Sequence, residues 1–72
     1  KMETILLRDQ FIKLGQALKA AGLCETGADA KAAVLDGQVL VNGQVETQRG
    51  KKLYGGDVVT FHGETVEIVD KS

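Results

Sequence analysis

The sequence has no proline and no tryptophan, and it contains one cysteine, one histidine, two phenylalanines and one tyrosine. With a single cysteine, Cys24, it forms no internal disulfide and offers no cysteine cluster for structural zinc. With a single histidine, His62, it has no second imidazole for a metal or acid–base pair. These absences exclude disulfide-stapled domains and zinc modules, so we predict no metal, no cofactor and no catalytic residue.

Charged residues are distributed unevenly in this short chain. Its 72 residues are 43% hydrophobic and 26% charged, which is typical of one soluble globular domain, placed here at residues 2–70. Residues 1–52 hold eight Lys or Arg and six Asp or Glu, whereas residues 53–72 hold one Lys and four acids. The apolar runs are too short for a membrane span or a secretory signal. The single cysteine fits a reduced, cytoplasmic setting, and a monomer is the default expectation.

Two short helices are predicted near the middle of the chain, after a strand at residues 3–7. Leu14, Ala17, Leu18 and Ala21 follow helical spacing, and Gly22 favours the left-handed backbone that ends such a helix. The second helix is expected between an N-cap at Thr26 and a stop at Gly37, with Ala30, Ala33 and Val34 facing inward.

Strands predominate in the rest of the chain. Val39–Val41 and Gln44–Val45 flank Asn42-Gly43, the dipeptide that best fits a two-residue hairpin turn. Residues 46–52 are polar and are predicted as a loop, residues 54–57 as a turn, and residues 58–61 and 65–69 as strands. The pattern indicates an α+β fold, with two short adjacent helices packed on a small, mostly antiparallel sheet.

Several separated motifs together resemble one known family. It is the RNA-binding domain first described in ribosomal small-subunit protein S-four, also called the αL motif, and in particular the small stand-alone bacterial proteins of the YbcJ/YaaA group. The motifs that carry the resemblance are Leu14-Gly15-Gln16, Thr26-Gly27-Ala28-Asp29-Ala30-Lys31, Asp36-Gly37-Gln38-Val39-Leu40-Val41-Asn42-Gly43, Val45-Glu46-Thr47, Arg49-Gly50-Lys51-Lys52-Leu53 and Gly56-Asp57.

The resemblance implies RNA binding through the helix pair and the loop after the hairpin. We expect a structured RNA, with ribosomal or transfer RNA preferred and a small regulatory RNA left open. An arginine can hold a phosphate with two hydrogen bonds, and lysines act as mobile point charges beside it. The candidate RNA-binding residues are Lys13, Lys31, Gln48, Arg49, Lys51 and Lys52. The family often carries arginines at the starts of both helices, where this chain has Lys13 and Gly27.

Two further side-chain types bear on this interface. Lys13 and Lys19 are not spaced to share one face of a helix, so we expect only one of them, Lys13, to be central. Phe11 and Phe61 are expected in the core, whereas Tyr54, beside the basic cluster, could stack on a base. So few aromatic residues favour structured RNA over sequence-specific single strands.

Three other functions are considered. An enzyme would need a base near its nucleophile, and Cys24 and His62 lie far apart in the sequence. A small β-grasp carrier shares the Val-Asn-Gly and Gly-Asp-Val-Val segments, but it uses a terminal Gly-Gly and lacks two adjacent helices before the hairpin. A protein-interaction adaptor would use the acidic end of the chain, with Glu64, Glu67 and Asp70.

Overall fold

The computed structural model describes residues 2–70, without the side chain of Met2. Neither helix in that range is long and apolar enough to cross a membrane. Helices and strands follow one another as β1 (Met2–Leu6), β2 (Ile12–Lys13), α1 (Leu14–Ala20), α2 (Gly27–Leu35), β3 (Val39–Val41), β4 (Gln44–Val45), β5 (Lys52–Leu53), β6 (Val58–Phe61) and β7 (Glu64–Val69).

Five of the strands form one sheet in the order β1-β7-β6-β3-β4. Every neighbouring pair is antiparallel except β1 and β7, which run parallel with Ile5 opposite Ile68. Strands β2 and β5 form a separate antiparallel pair, in which Ile12 lies opposite Leu53. The predicted α+β class, with two adjacent helices on a mostly antiparallel sheet, is confirmed.

The hairpin turns adopt the backbone that their residues favour. Asn42 and Gly43 have φ angles of 53° and 84°, and His62 and Gly63 have φ angles of 51° and 79°. Positive φ at both central positions is the mark of a two-residue turn that follows the right-handed twist of its strands. The hairpin predicted at Asn42-Gly43 is therefore confirmed, and His62-Gly63 forms a second turn of the same kind.

The end of helix α1 and the start of helix α2 lie where the sequence predicts them. Helix α1 stops before Gly22, whose φ is +75°, and the amide of Leu23 donates to the carbonyl of Leu18 at 3.0 Å. Helix α2 begins after Thr26, whose hydroxyl accepts from the amide of Asp29 at 3.1 Å. The short connection between these caps holds the helices side by side.

The core lies between the two helices and the inner face of the sheet. Each fully buried leucine or isoleucine contributes roughly 1.5–3 kcal/mol through removal from water. Eight large side chains have less than 2% of their surface exposed, namely Leu14, Leu18, Val34, Val39, Leu53, Val59, Val66 and Ile68. Leu14 and Leu53 are part of this core, so they tie the β2–β5 pair to the helices and position the residues beside them.

Candidate nucleic-acid interface

A cavity of about 340 Å³ opens between α1, the first turn of α2 and the loop before β5. Three of its seven lining residues are the cations Lys13, Lys19 and Arg49, and none of the seven is acidic. The other four are Gly15, Gln16, Gly27 and Ala30. We call this cavity the cationic groove, and we call its three small residues, Gly15, Gly27 and Ala30, the floor of the groove.

Backbone hydrogen bonds attach the loop to helix α1 and fix the position of Arg49. The amide of Gly15 donates to the carbonyl of Arg49 at 3.0 Å, and the amide of Leu14 donates to the carbonyl of Lys51 at 2.9 Å. A Cβ added to Gly15 would lie 3.7 Å from the Cβ of Arg49, so the loop and the helix are in direct contact. Amides at the start of a helix have no partner within the helix, and here the loop supplies two of the missing acceptors.

Lys19 lies in the same groove as Lys13, and the expectation that these two lysines diverge is wrong. Lys13 is the N-cap of α1 and has extended backbone angles, with φ −79° and ψ 149°. Its side chain therefore does not follow the helical spacing on which the expectation was based. Lys19 lies within the helix, and the groove contains both.

The other predicted RNA-binding residues surround the groove and do not line it. Lys31 is exposed on α2, four residues after Gly27, and so lies one turn further along the face that borders the groove. Gln48 is exposed in the loop, where its backbone amide donates to the carboxylate of Glu46 at 3.1 Å. Lys51 and Lys52 are exposed beyond Arg49, and Lys52 lies opposite Lys13 in the β2–β5 pair.

Phe11 was expected in the core, but it lies half-buried beside Tyr54 and Lys52 instead. The two ring centroids are 6.1 Å apart with an interplanar angle of 54°, and the Lys52 ammonium lies 4.8 Å from the centroid of Phe11. Such a cation–π contact at an exposed site is worth about 0.5–1 kcal/mol. Phe61 packs against the core as predicted, and its ring also stacks on His62 at 4.0 Å.

A second cavity, of about 390 Å³, lies on another face of α2 and carries the opposite charge. Its lining includes the acids Glu25, Asp29 and Asp36 and no lysine or arginine. Asp29 and Asp36 lie seven residues apart on the helix and share one face, whereas Gly27 and Ala30 face the cationic groove. Helix α2 thus separates the cations from these acids.

Cys24 and His62 line this acidic cavity together, although they lie far apart in the sequence. Burial, with a smaller effect from the Asp29 carboxylate, raises the pKa of the Cys24 thiol. His62 is paired through Nε2 with the side-chain oxygen of Gln38 at 2.9 Å. A thiol kept protonated, with no hydrogen bond to the imidazole among the described contacts, lacks the features of an activated nucleophile.

The described residues also offer no metal centre. No group of three or more His, Cys, Asp or Glu side chains in residues 2–70 is placed to hold an ion. Two ammonium groups and one guanidinium line the cationic groove, and these groups suit it to the binding of an anion.

Comparison with known proteins gives consistent matches over nearly the whole chain. Residues 5–69 match the S4 domain family. The Escherichia coli protein named "Putative RNA-binding protein YbcJ" is 43% identical over 58 residues, which cover 81% of this chain and 83% of that protein. The Bacillus subtilis protein named "Probable ribosome maturation protein RlbA" is 42% identical over 59 residues, covering 82% and 83% of the two chains.

A solved structure agrees with these sequence matches. The solution structure of Escherichia coli YbcJ, described as having an αL motif involved in RNA binding, superposes with a TM-score of 0.74 at 40% identity. The match covers 96% of this chain and 89% of that one. The shared fold supports the predicted αL motif and sets the β-grasp carrier aside.

Proposed function

The chain belongs to the S4 domain family, and from that premise we propose that it binds structured RNA through the cationic groove and the loop beside it. The phosphate backbone of the RNA enters the groove and contacts Lys13, Lys19 and Arg49. The protein acts by binding and performs no chemical step on the RNA.

The observation that carries this proposal is the convergence of three cations around a floor without acids. Lys13, Lys19 and Arg49 come from a strand end, a helix and a loop, and they meet at one cavity. RNA helices present phosphates and 2′-hydroxyls, which proteins recognise largely by shape and charge. A glycine and alanine floor lets the RNA backbone come close, so that the cations contact it directly.

The four remaining candidate residues extend this surface. Lys31 continues it along α2, and Gln48, Lys51 and Lys52 continue it along the loop and β5. Each is exposed, so each can contact a phosphate or a 2′-hydroxyl without breaking a contact of the core. We assign them a smaller share of the affinity than Lys13, Lys19 and Arg49, because only those three cations line one cavity and can act together on the same phosphates.

Ribosomal RNA is the target that we test first, with transfer RNA as the second. The support is that one relative is named a ribosome maturation protein and another an RNA-binding protein. We further propose that the protein acts in a ribosome- or translation-related process, as a monomer in the cytoplasm.

The role of the cationic groove in RNA binding can be tested by substituting one arginine inside the groove and one outside it. Arg49 lines the cationic groove, whereas Arg8 lines a different cavity beside β1, and both are exposed. Arg49→Glu and Arg8→Glu change the net charge equally. Loss of a charge-assisted contact, worth about 1.5–3 kcal/mol, should weaken binding of Arg49→Glu to a ribosomal RNA fragment at least about tenfold.

The comparison of these variants is read by fluorescence anisotropy, with circular dichroism to verify that both fold. Arg8→Glu should bind within about threefold of the original protein, since a screened and distant charge has little effect. Equal losses in the two variants would mean that only net charge matters, and the groove would then not be the binding site.

A further inference from the structure

The β2–β5 pair has an outward face whose composition differs from that of the groove. Lys13 lies opposite Lys52, and the preceding pair, Ile12 and Leu53, includes a fully buried leucine. Because successive residues of a strand point to opposite faces, both lysines turn away from the core. Phe11 and Tyr54 are the next residues beyond the Ile12–Leu53 pair, and the contacts of the Phe11 ring with Lys52 and with Tyr54 place both rings on this outward face.

The ring of Tyr54 is exposed on this face, and hydrogen bonds fix the backbone that carries it. Half of its surface is exposed, at 50%. The tyrosine amide donates to the Asp57 carboxylate at 2.8 Å, and its carbonyl accepts from the Asp57 amide at 3.0 Å. Asp57 also accepts from the Asn42 side chain at 3.1 Å, so the turn that carries the ring is tied to the main sheet. An aromatic ring presented from a fixed turn loses little entropy when it stacks on a ligand.

We propose that Tyr54 stacks on one unpaired base of the RNA bound in the cationic groove, while Lys13 and Lys52 contact the phosphates on either side of that nucleotide. This inference rests on the proposed function and extends it from backbone binding to recognition of an unpaired nucleotide. Lys13 belongs both to the groove and to the outward face of β2–β5, so one RNA strand can occupy the two sites in succession.

The tyrosine and the lysines on this face together indicate which part of an RNA binds there. A base in a paired helix is covered on both faces by its neighbours, whereas a bulged, looped or terminal base has a free face for an aromatic ring. Stacking on tyrosine is tolerant of base identity, because every base has a π-face. The ammonium of Lys52 already covers one ring, that of Phe11, which leaves Tyr54 as the ring that receives the base.

The test uses two RNA hairpins that differ by one nucleotide, a bulged adenosine in the stem, together with the Tyr54→Leu variant. Leucine keeps an apolar side chain of similar reach but has no π-face. The original protein should prefer the bulged hairpin. Tyr54→Leu should bind it about tenfold more weakly, within the range for loss of one stacked base, and should bind the fully paired hairpin as before.

Two control variants complete the experiment. Tyr54→Phe keeps the ring and should keep the preference, and Val45→Ala alters a similarly exposed apolar residue, 57% exposed, on a different strand and should change nothing. A fluorescent adenine analogue at the bulge should be quenched by the original protein and by Tyr54→Phe, and should not be quenched by Tyr54→Leu.

The outcomes separate this inference from the proposed function. If both hairpins bind through Arg49 but Tyr54→Leu keeps the full preference for the bulge, the stacking site is wrong and RNA binding by the groove stands. If the original protein binds both hairpins equally, the inference is overturned in the same way. If neither hairpin nor the ribosomal RNA fragment binds, the proposed function fails and this inference fails with it.

Discussion

Helix α2 borders two cavities of similar size, about 340 and 390 Å³, whose linings carry opposite charge. The first contains Lys13, Lys19 and Arg49, and the second contains Glu25, Asp29 and Asp36. The whole chain has a formal net charge of −1, which by itself gives no indication of an RNA-binding surface. Helix α2, only nine residues long, lies between the two sets, with Gly27 and Ala30 facing the cations and Asp29 facing the other cavity.

This separation explains how a slightly acidic protein can present a local positive field. Exposed charges further apart than about 8 Å are largely screened at physiological salt, so a ligand responds to the cavity that it enters. The acids on the far side of α2 should therefore cost little affinity for RNA. The four predictions that follow test the contrast between the two cavities, beginning with the largest expected effect.

Neutralising the groove should have the largest effect. Lys13→Gln, Lys19→Gln and Arg49→Gln combined should weaken RNA binding at least about 100-fold, because each cation supplies a charge-assisted contact. All three side chains are exposed, so the thermal midpoint should change little. In the original protein, these three cations should together contribute about −2 to −3 to the slope of log affinity against log salt.

The salt slope of the triple variant provides the check on that result. It should be shallower by about 2 to 3 than the slope of the original protein, measured by anisotropy across a salt series. An unchanged slope together with weaker binding would show that these cations do not contact phosphates, and the contrast between the cavities would lose its functional meaning.

Filling the floor of the groove should have the next largest effect. Gly27 is helical with no atom within 4 Å of an added Cβ, so Gly27→Leu fits the fold while placing bulk in the cavity. RNA affinity should fall roughly tenfold, as expected for loss of one charged contact, with all cations still present. Ala28→Leu, an exposed neighbour outside the groove lining, is the matched control and should bind normally.

Thermal unfolding of both leucine variants tests whether weaker RNA binding by Gly27→Leu results from loss of the folded structure. Replacing glycine in a helix removes a penalty of up to about 1 kcal/mol, so Gly27→Leu should unfold at the same temperature as the original protein or higher. Normal RNA binding by Gly27→Leu would show that the backbone of the RNA does not enter the groove.

Reversing charge in the acidic cavity should have a much smaller effect. Glu25→Lys and Asp36→Lys together raise the net charge by four, yet RNA affinity should rise by less than about threefold at physiological salt. Asp29 is left in place because its carboxylate lies in the first turn of α2, where a negative charge stabilises the helix. An increase as large as the loss in the groove variant would show that net charge, and not its position, controls binding.

Much of this arrangement could be predicted from the sequence, because local chemistry determines it. Gly22 as a helix stop, Thr26 as an N-cap and Asn42-Gly43 as a turn each act within a few residues, and all three are confirmed. The family motifs add Lys13, Lys31, Gln48, Arg49, Lys51 and Lys52 as candidate RNA-binding residues, and the structure brings two of these, Lys13 and Arg49, into one cavity.

The rest depends on contacts between distant segments, and no local pattern reveals them. Strands β2 and β5 are two residues long and pair across 40 positions, from Ile12 to Leu53, so neither showed a strand signal of its own. Without that pair, local patterns place Lys13 on a helix away from Lys19 and put Phe11 in the core, and the structure contradicts all three expectations. The meeting of Cys24 with His62 in the acidic cavity is likewise a tertiary effect.

The smallest expected effect concerns Cys24, which is 7% exposed in the wall of the acidic cavity. Its thiol pKa in the folded protein is raised above the ordinary value of 9.0, mainly by burial. As pH rises through that ordinary value, the unfolded chain loses the thiol proton first, so the folded state loses stability relative to it. Below pH 8 the thiol is protonated in both states and has no effect.

Thermal unfolding from pH 7 to pH 10 should therefore show a steeper decline for the original protein than for Cys24→Ala, which removes this titration and keeps other ionisations. Parallel curves for the two proteins would contradict the raised pKa and, with it, a protonated thiol beside the acids.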